Sequence, residues 1–176
     1  MSKLEYIGSD AWARKYYYLN VSNDSFVHFT TSKRAQEIVE SKKLLLDSPY
    51  GGMGAYGVFA ISLTYGVYVP GVATTHIETW AKNEDSEIVA VKFKTHTVPK
   101  KLCYIEEVSF GEQDVPLINP TIITKNEAIG LIRNSPEKIS EDDHVVYDKS
   151  LIPRLNLVNK KTAFNVLNRY LKDFLE

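Results

Sequence analysis

The stretch Phe26-Val27-His28-Phe29-Thr30-Thr31 decides the fold class, because β-branched and aromatic residues crowd a short run and the period then changes. From Ser32 onward the apolar positions Ala35, Ile38 and Val39 recur at helical spacing, and Thr31 or Ser32 offers a side-chain oxygen as N-cap. A strand therefore runs straight into a helix. That helix should stop near Lys42-Lys43, where two cations suit the negative end of its dipole.

Working outward, Asp10 can cap a short helix through Trp12 and Arg14 toward Tyr16-Tyr17-Tyr18. Residues 48–57 carry four glycines, at Gly51, Gly52, Gly54 and Gly57, and must form a loop. The loop lacks both the Gly-Lys-Ser/Thr ending of a P-loop and the spacing of a dinucleotide fingerprint. Gly57 to Ser62 then reads as a strand, and Gly71 to Lys82, through Val72, His76, Thr79 and Trp80, as a helix. Two longer strands follow, Glu87 to Phe93 and Leu102 to Phe110, and a short one at Thr121 to Ile123. Thr124 and Glu127 form a capping box opening a helix over Ala128-Ile129-Gly130-Leu131-Ile132, residues 134–143 read as an exposed loop, and Phe164, Leu167, Tyr170, Leu171 and Phe174 mark a closing amphipathic helix. The expected fold is α+β, a single domain over residues 1–176 with a mainly antiparallel or mixed sheet and flanking helices.

The chain has 176 residues, 44% hydrophobic and 24% charged, which suits a globular domain with a sizeable core. Lys+Arg total 21 against Asp+Glu 22, so bulk electrostatics give no argument for a nucleic-acid partner. Cys103 is the single cysteine, which excludes an intramolecular disulfide and a cysteine-rich zinc site and suits a reducing compartment. With no apolar signal-peptide stretch and no run of about 18 apolar residues, the expectation is a cytoplasmic protein with no membrane partner.

On a strand, His28 shares a face with Phe26 and Thr30; taken alone it reads as a core histidine bonded to a carbonyl or as one wall of a cleft. Glu106 and Glu107 point to opposite faces, Glu107 with Cys103, Ile105 and Ser109. A carboxylate on a half-buried face needs a partner, so it serves a salt bridge or a charge-using task. His76-Ile77-Glu78 imitates half of a zinc deaminase site, but the Pro-Cys-x-x-Cys half is absent. There is no Gly-x-Ser-x-Gly elbow for serine chemistry.

These motifs resemble the ADP-ribosyltransferase superfamily, in its histidine–tyrosine–glutamate branch. Val27-His28-Phe29-Thr30-Thr31 is similar to the family strand that carries His-x-Thr or His-Gly-Ser/Thr and binds the NAD ribose and amide. Ala55-Tyr56-Gly57-Val58-Phe59-Ala60 resembles the glycine-led strand whose tyrosine stacks on nicotinamide, with Phe59 in the tyrosine's place. Tyr104-Ile105-Glu106-Glu107-Val108-Ser109-Phe110, then Val115-Pro116, resembles the glutamate strand of the DarT-type DNA ADP-ribosyltransferases. The similarity spans about residues 25–133.

The resemblance implies a split sheet, NAD as substrate with no metal, and mono-ADP-ribosylation of a protein or nucleic acid by a toxin- or effector-like enzyme, with an antitoxin or immunity protein as partner. It implies Glu107 as the catalytic acid, and His28, Phe29, Thr30, Tyr56, Gly57, Phe59 and Ser62 as the cofactor-binding residues. The alternative is a non-catalytic nucleotide- or protein-binding domain of the same fold. The RNA 2′-phosphotransferase branch would need a basic cluster that the sequence does not display.

Overall fold

The structure is a computed structural model and describes residues 3–45, 58–67, 75–100, 102 and 107–175. Strands β1 (Glu5–Ser9) and β2 (Lys15–Tyr18) form a hairpin, and β3 (Phe26–Thr31) leads into α1 (Ser32–Ser41) and the short β4 (Lys43–Leu44). Next come β5 (Phe59–Ser62), α2 (Thr75–Asn83), β6 (Ile88–Lys94), β7 (Val108–Ser109) and β8 (Val115–Pro116). The chain closes with β9 (Ile118–Thr124), α3 (Lys125–Arg133), β10 (His144–Val146) and α4 (Lys161–Leu175).

The main sheet has five strands in the order β7-β5-β3-β6-β9, all pairs antiparallel. A three-stranded sheet, β1-β2-β10, contains the one parallel pair among the described strands, β2 with β10, and β4 pairs with β8. The fold is mixed α+β, as expected. On one face of the main sheet Phe26, Val91, Phe93 and Val108 pack with Ala35, Ile38 and Val39 of α1. On the other, Val27, Phe29, Ile61 and Ala90 pack with Ile77 of α2 and with Ala128 and Ile132 of α3. Coverage on both sides explains why β3 is buried at nearly every position rather than at alternate ones, although His28, Thr30 and Thr31 are polar.

The caps expected at Thr31 and Thr124 are present. Thr31 accepts from the Arg34 N–H to open α1, Lys42 closes that helix at φ 54°, and Thr124 accepts from the Glu127 N–H at 3.1 Å. The expected helix from Asp10 to Tyr18 is instead a hairpin. Asp10 Oδ1 accepts from the backbone N–H groups of Trp12 and Arg14, with Ala13 at φ 62°, so the carboxylate stabilises a turn in competition with a helix. Tyr16 and Tyr18 are then buried by strand alternation.

Residues 134–143 run as a loop that includes buried Ser135 and Asp143, and the strand after them, β10, had no periodicity to announce it because it is three residues long. Strand β9 extends well beyond Thr121–Ile123 and holds Pro120, tolerable because β9 ends the sheet. Of the strand expected over Leu102–Phe110, Val108–Ser109 is strand; residues 101 and 103–106 lie outside the described residues, as do the glycine loop and the start of the Gly71–Lys82 helix. None of the described helices is long and apolar enough to cross a membrane.

His144 is buried in the three-stranded sheet and stacks on Tyr16, ring centroids 5.0 Å apart. Burial and the neighbouring Arg14 hold its pKa below the ordinary imidazole value, against Asp10, Asp143 and Asp142, which pull upward. An unfolded chain takes up the proton below about pH 6.5 while the folded one resists it, so this contribution to stability is lost on acidification. His144→Phe should flatten the fall in unfolding free energy below about pH 6.5. Urea titrations at neutral and mildly acidic pH measure it; equal slopes in both proteins would refute the assignment.

Candidate functional site

The three strands that the motifs single out are consecutive neighbours in the sheet. Strand β3, bearing His28, pairs with β5, which opens at Phe59; β5 pairs with β7, and Glu107 is the residue directly before β7. The register matches Phe26 with Ser62 and Val27 with Ile61, then Phe59 with Ser109 and Ala60 with Val108. Strand β3 continues past Val27 through Thr31 in register with β6, whereas its ladder with β5 ends at Val27 and Ile61. At that ending the His28 side chain takes over: its Nδ1–H donates to the Phe59 carbonyl oxygen at 2.7 Å. In the neutral ring this bond makes Nε2 the acceptor nitrogen.

Residues directly opposed in the ladders share a face, and alternation does the rest. His28 lies on the face of Phe26, Thr30 and Ser62, while the Phe59 side chain lies on the face of Val27, Ile61 and Ser109. The strands therefore meet, but His28 and Phe59 do not present their side chains to one face. A ligand touching both would occupy the place where the β3/β5 ladder ends, between two interior strands, rather than either broad surface of the sheet. Glu107 is exposed, one step beyond the Ala60–Val108 pair.

The other expected site residues fare differently. The Phe29 ring, 6% exposed, belongs to the core against α2 and α3, so at that position only backbone can serve a ligand. Thr30 is buried on the face of His28. Tyr56 and Gly57 lie outside the described residues. Ser62 requires a correction: it is 1% exposed and its hydroxyl donates to Asp24 Oδ2 at 2.7 Å, so it fastens the sheet rather than reaching a cofactor.

Asp24 is the residue that sequence reasoning missed. Fully buried just before β3, its carboxylate accepts from the Ser62 and Thr64 hydroxyls, the Tyr147 hydroxyl and the Ser25 N–H, all at 2.7–2.8 Å. Tyr147 has one phenolic proton and gives it to the carboxylate, so the Tyr65 hydroxyl, 2.9 Å away, donates to the Tyr147 oxygen. Burial pushes the Asp24 pKa above the ordinary carboxylate value, and the bonds from Thr64, Tyr147, Ser62 and Ser25 act in the opposite sense. In sequence Asn23-Asp24-Ser25 is an ordinary polar turn; its partners lie up to Tyr147, so local pattern carried no trace of the cluster.

Among the described residues there is no group of three His, Cys, Asp or Glu side chains able to hold a metal. A cavity of about 160 Å³ lies between the Tyr65-Gly66-Val67 segment and the end of α3, lined by none of His28, Phe59 and Glu107. No family model, curated protein or solved structure matches the chain.

Removing the buried carboxylate leaves three hydroxyls and an amide facing an empty space. Asp24→Ala should cost about 2–4 kcal/mol of unfolding free energy, the range for buried hydrogen-bond groups left without partners. The midpoint of urea unfolding reads this directly; a loss under about 0.5 kcal/mol, the scale of surface substitutions, would contradict it.

Proposed function

We propose that the chain is an NAD-dependent mono-ADP-ribosyltransferase that transfers ADP-ribose to a macromolecular acceptor, protein or nucleic acid, and releases nicotinamide. One observation carries the reading: the strands bearing His28 and Phe59 and the strand that Glu107 directly precedes, far apart in sequence, are adjacent in the order β3, β5, β7. In this reaction the bond between nicotinamide nitrogen and ribose C1′ breaks, its electron pair leaving with nicotinamide, and positive charge develops on the ribose. Glu107 faces that charge and takes the proton that the acceptor nucleophile gives up as it bonds to C1′. His28 orients the ribose hydroxyls through the ring nitrogen opposite its bond to Phe59, and the Phe59 ring stacks on nicotinamide without donating a hydrogen bond.

Two features favour the second reading, a non-catalytic binding domain of the same fold: phenylalanine stands where the family has tyrosine, and the Ser62 hydroxyl is committed to Asp24. Nicotinamide release from NAD in the presence of cell lysate decides between the two. Glu107→Gln should lower the rate by about 100-fold or more, the lower range for a positioned acid–base group. Release that survives this substitution would remove Glu107 from the chemistry. Failure of the wild-type protein to bind NAD would remove the enzyme.

A further inference from the structure

We infer that Asp24 is a positioning residue for the candidate site, clamping one end of the short β3/β5 ladder so that His28 meets the Phe59 carbonyl at the other. The ladder can be followed residue by residue. The Ser25 carbonyl accepts from the Leu63 N–H at 2.8 Å, Phe26 faces Ser62, Val27 faces Ile61, and then comes the side-chain bond from His28 to Phe59. Asp24 stands one residue outside the first of these contacts and grips both strands, Ser25 N–H on the β3 side and the Ser62 and Thr64 hydroxyls on the β5 side.

The two strands differ in how firmly they are held. Strand β3 is matched to β6 from Phe26–Phe93 through Thr31–Ile88, whereas β5 is matched at two residues to β3 and at two to the short β7. Any shift at this junction therefore falls on β5, and a one-residue slip would turn its side chains to the opposite faces. The buried carboxylate opposes that slip with charge-assisted bonds, stronger than neutral ones in a water-free setting. Through Tyr147, which follows β10, the same carboxylate also ties in the three-stranded sheet, so β5 is referenced to both sheets at once.

The consequence for His28 is geometric and independent of any ligand, while the consequence for NAD rests on the proposed function. In wild-type protein, ¹⁵N–¹H NMR of the imidazoles should show His28 as the Nδ1–H tautomer with a protected, downfield proton, the signal being assigned by its loss in His28→Gln. Asp24→Asn keeps the size and removes the charge; it should move His28 toward the Nε2–H form usual for a free imidazole. It should also raise KM for NAD by about tenfold, the effect of a small misplacement of a binding group. Asp10→Asn, at the hairpin turn of the three-stranded sheet, is the control for general destabilisation and should leave the His28 signal in place. Should Asp24→Asn fail to fold, Ser62→Ala removes the β5-side grip alone and should move the same signal. An unchanged His28 tautomer in the folded variant overturns the inference whatever the NAD assay shows. A shifted tautomer with no NAD turnover by wild-type protein overturns the enzymatic reading and leaves the positioning role standing.

Discussion

A strand paired on both edges and covered on both faces has no freedom of register, and β3 is that strand. It is matched along its length to β6 and at its first residues to β5, and its two faces meet α1 on one side and α2 and α3 on the other. Sliding it by one residue would exchange Phe26 for Val27 and His28 for Phe29 between two separate cores, which the hydrophobic cost forbids. The helices, the neighbouring strands and the position of His28 all take their reference from it.

The site follows from where that constraint stops. Strand β5 pairs with β3 only near its C-terminal end, so β3 leaves the β5 ladder at Val27, one residue before His28. There a side chain, His28, bonds the Phe59 carbonyl in place of a further ladder pair. The ordinary expectation for such a residue, a histidine bonded to a carbonyl, describes this contact correctly. It does not compete with a ligand-binding role, because fixing one ring nitrogen is what gives the other a defined direction.

Much was legible in the sequence where the controlling forces are local. Caps at Thr31 and Thr124 need one side-chain oxygen and an N–H three residues on, and both were readable. The apolar run Ile88-Val89-Ala90-Val91 shows the place of β6 in the core directly in composition. Asp10 misled because the same short acidic side chain caps helices and closes turns, and the choice was made by partners of Tyr16 and Tyr18 in other strands. Strand β10 is too short to show a period and exists because β2 offers it an edge. The resemblance implies Ser62 as a cofactor-binding residue, whereas its hydroxyl is engaged by Asp24, 38 positions away in sequence, a contact no local pattern shows.

What the sequence determined by itself is the residue types and much of the order of elements: an α+β chain in which the His28 strand comes first, the Phe59 strand later and Glu107 after a further helix and strand. What only the tertiary structure decided is their neighbourhood and facing. Adjacency of β3, β5 and β7, the opposite faces of His28 and Phe59, and the convergence of Ser62, Thr64 and Tyr147 on Asp24 all depend on strand pairing. Pairing is set by non-local burial and by hydrogen bonds between residues as distant as Asp24 and Tyr147, 123 positions apart, and no local periodicity encodes such contacts.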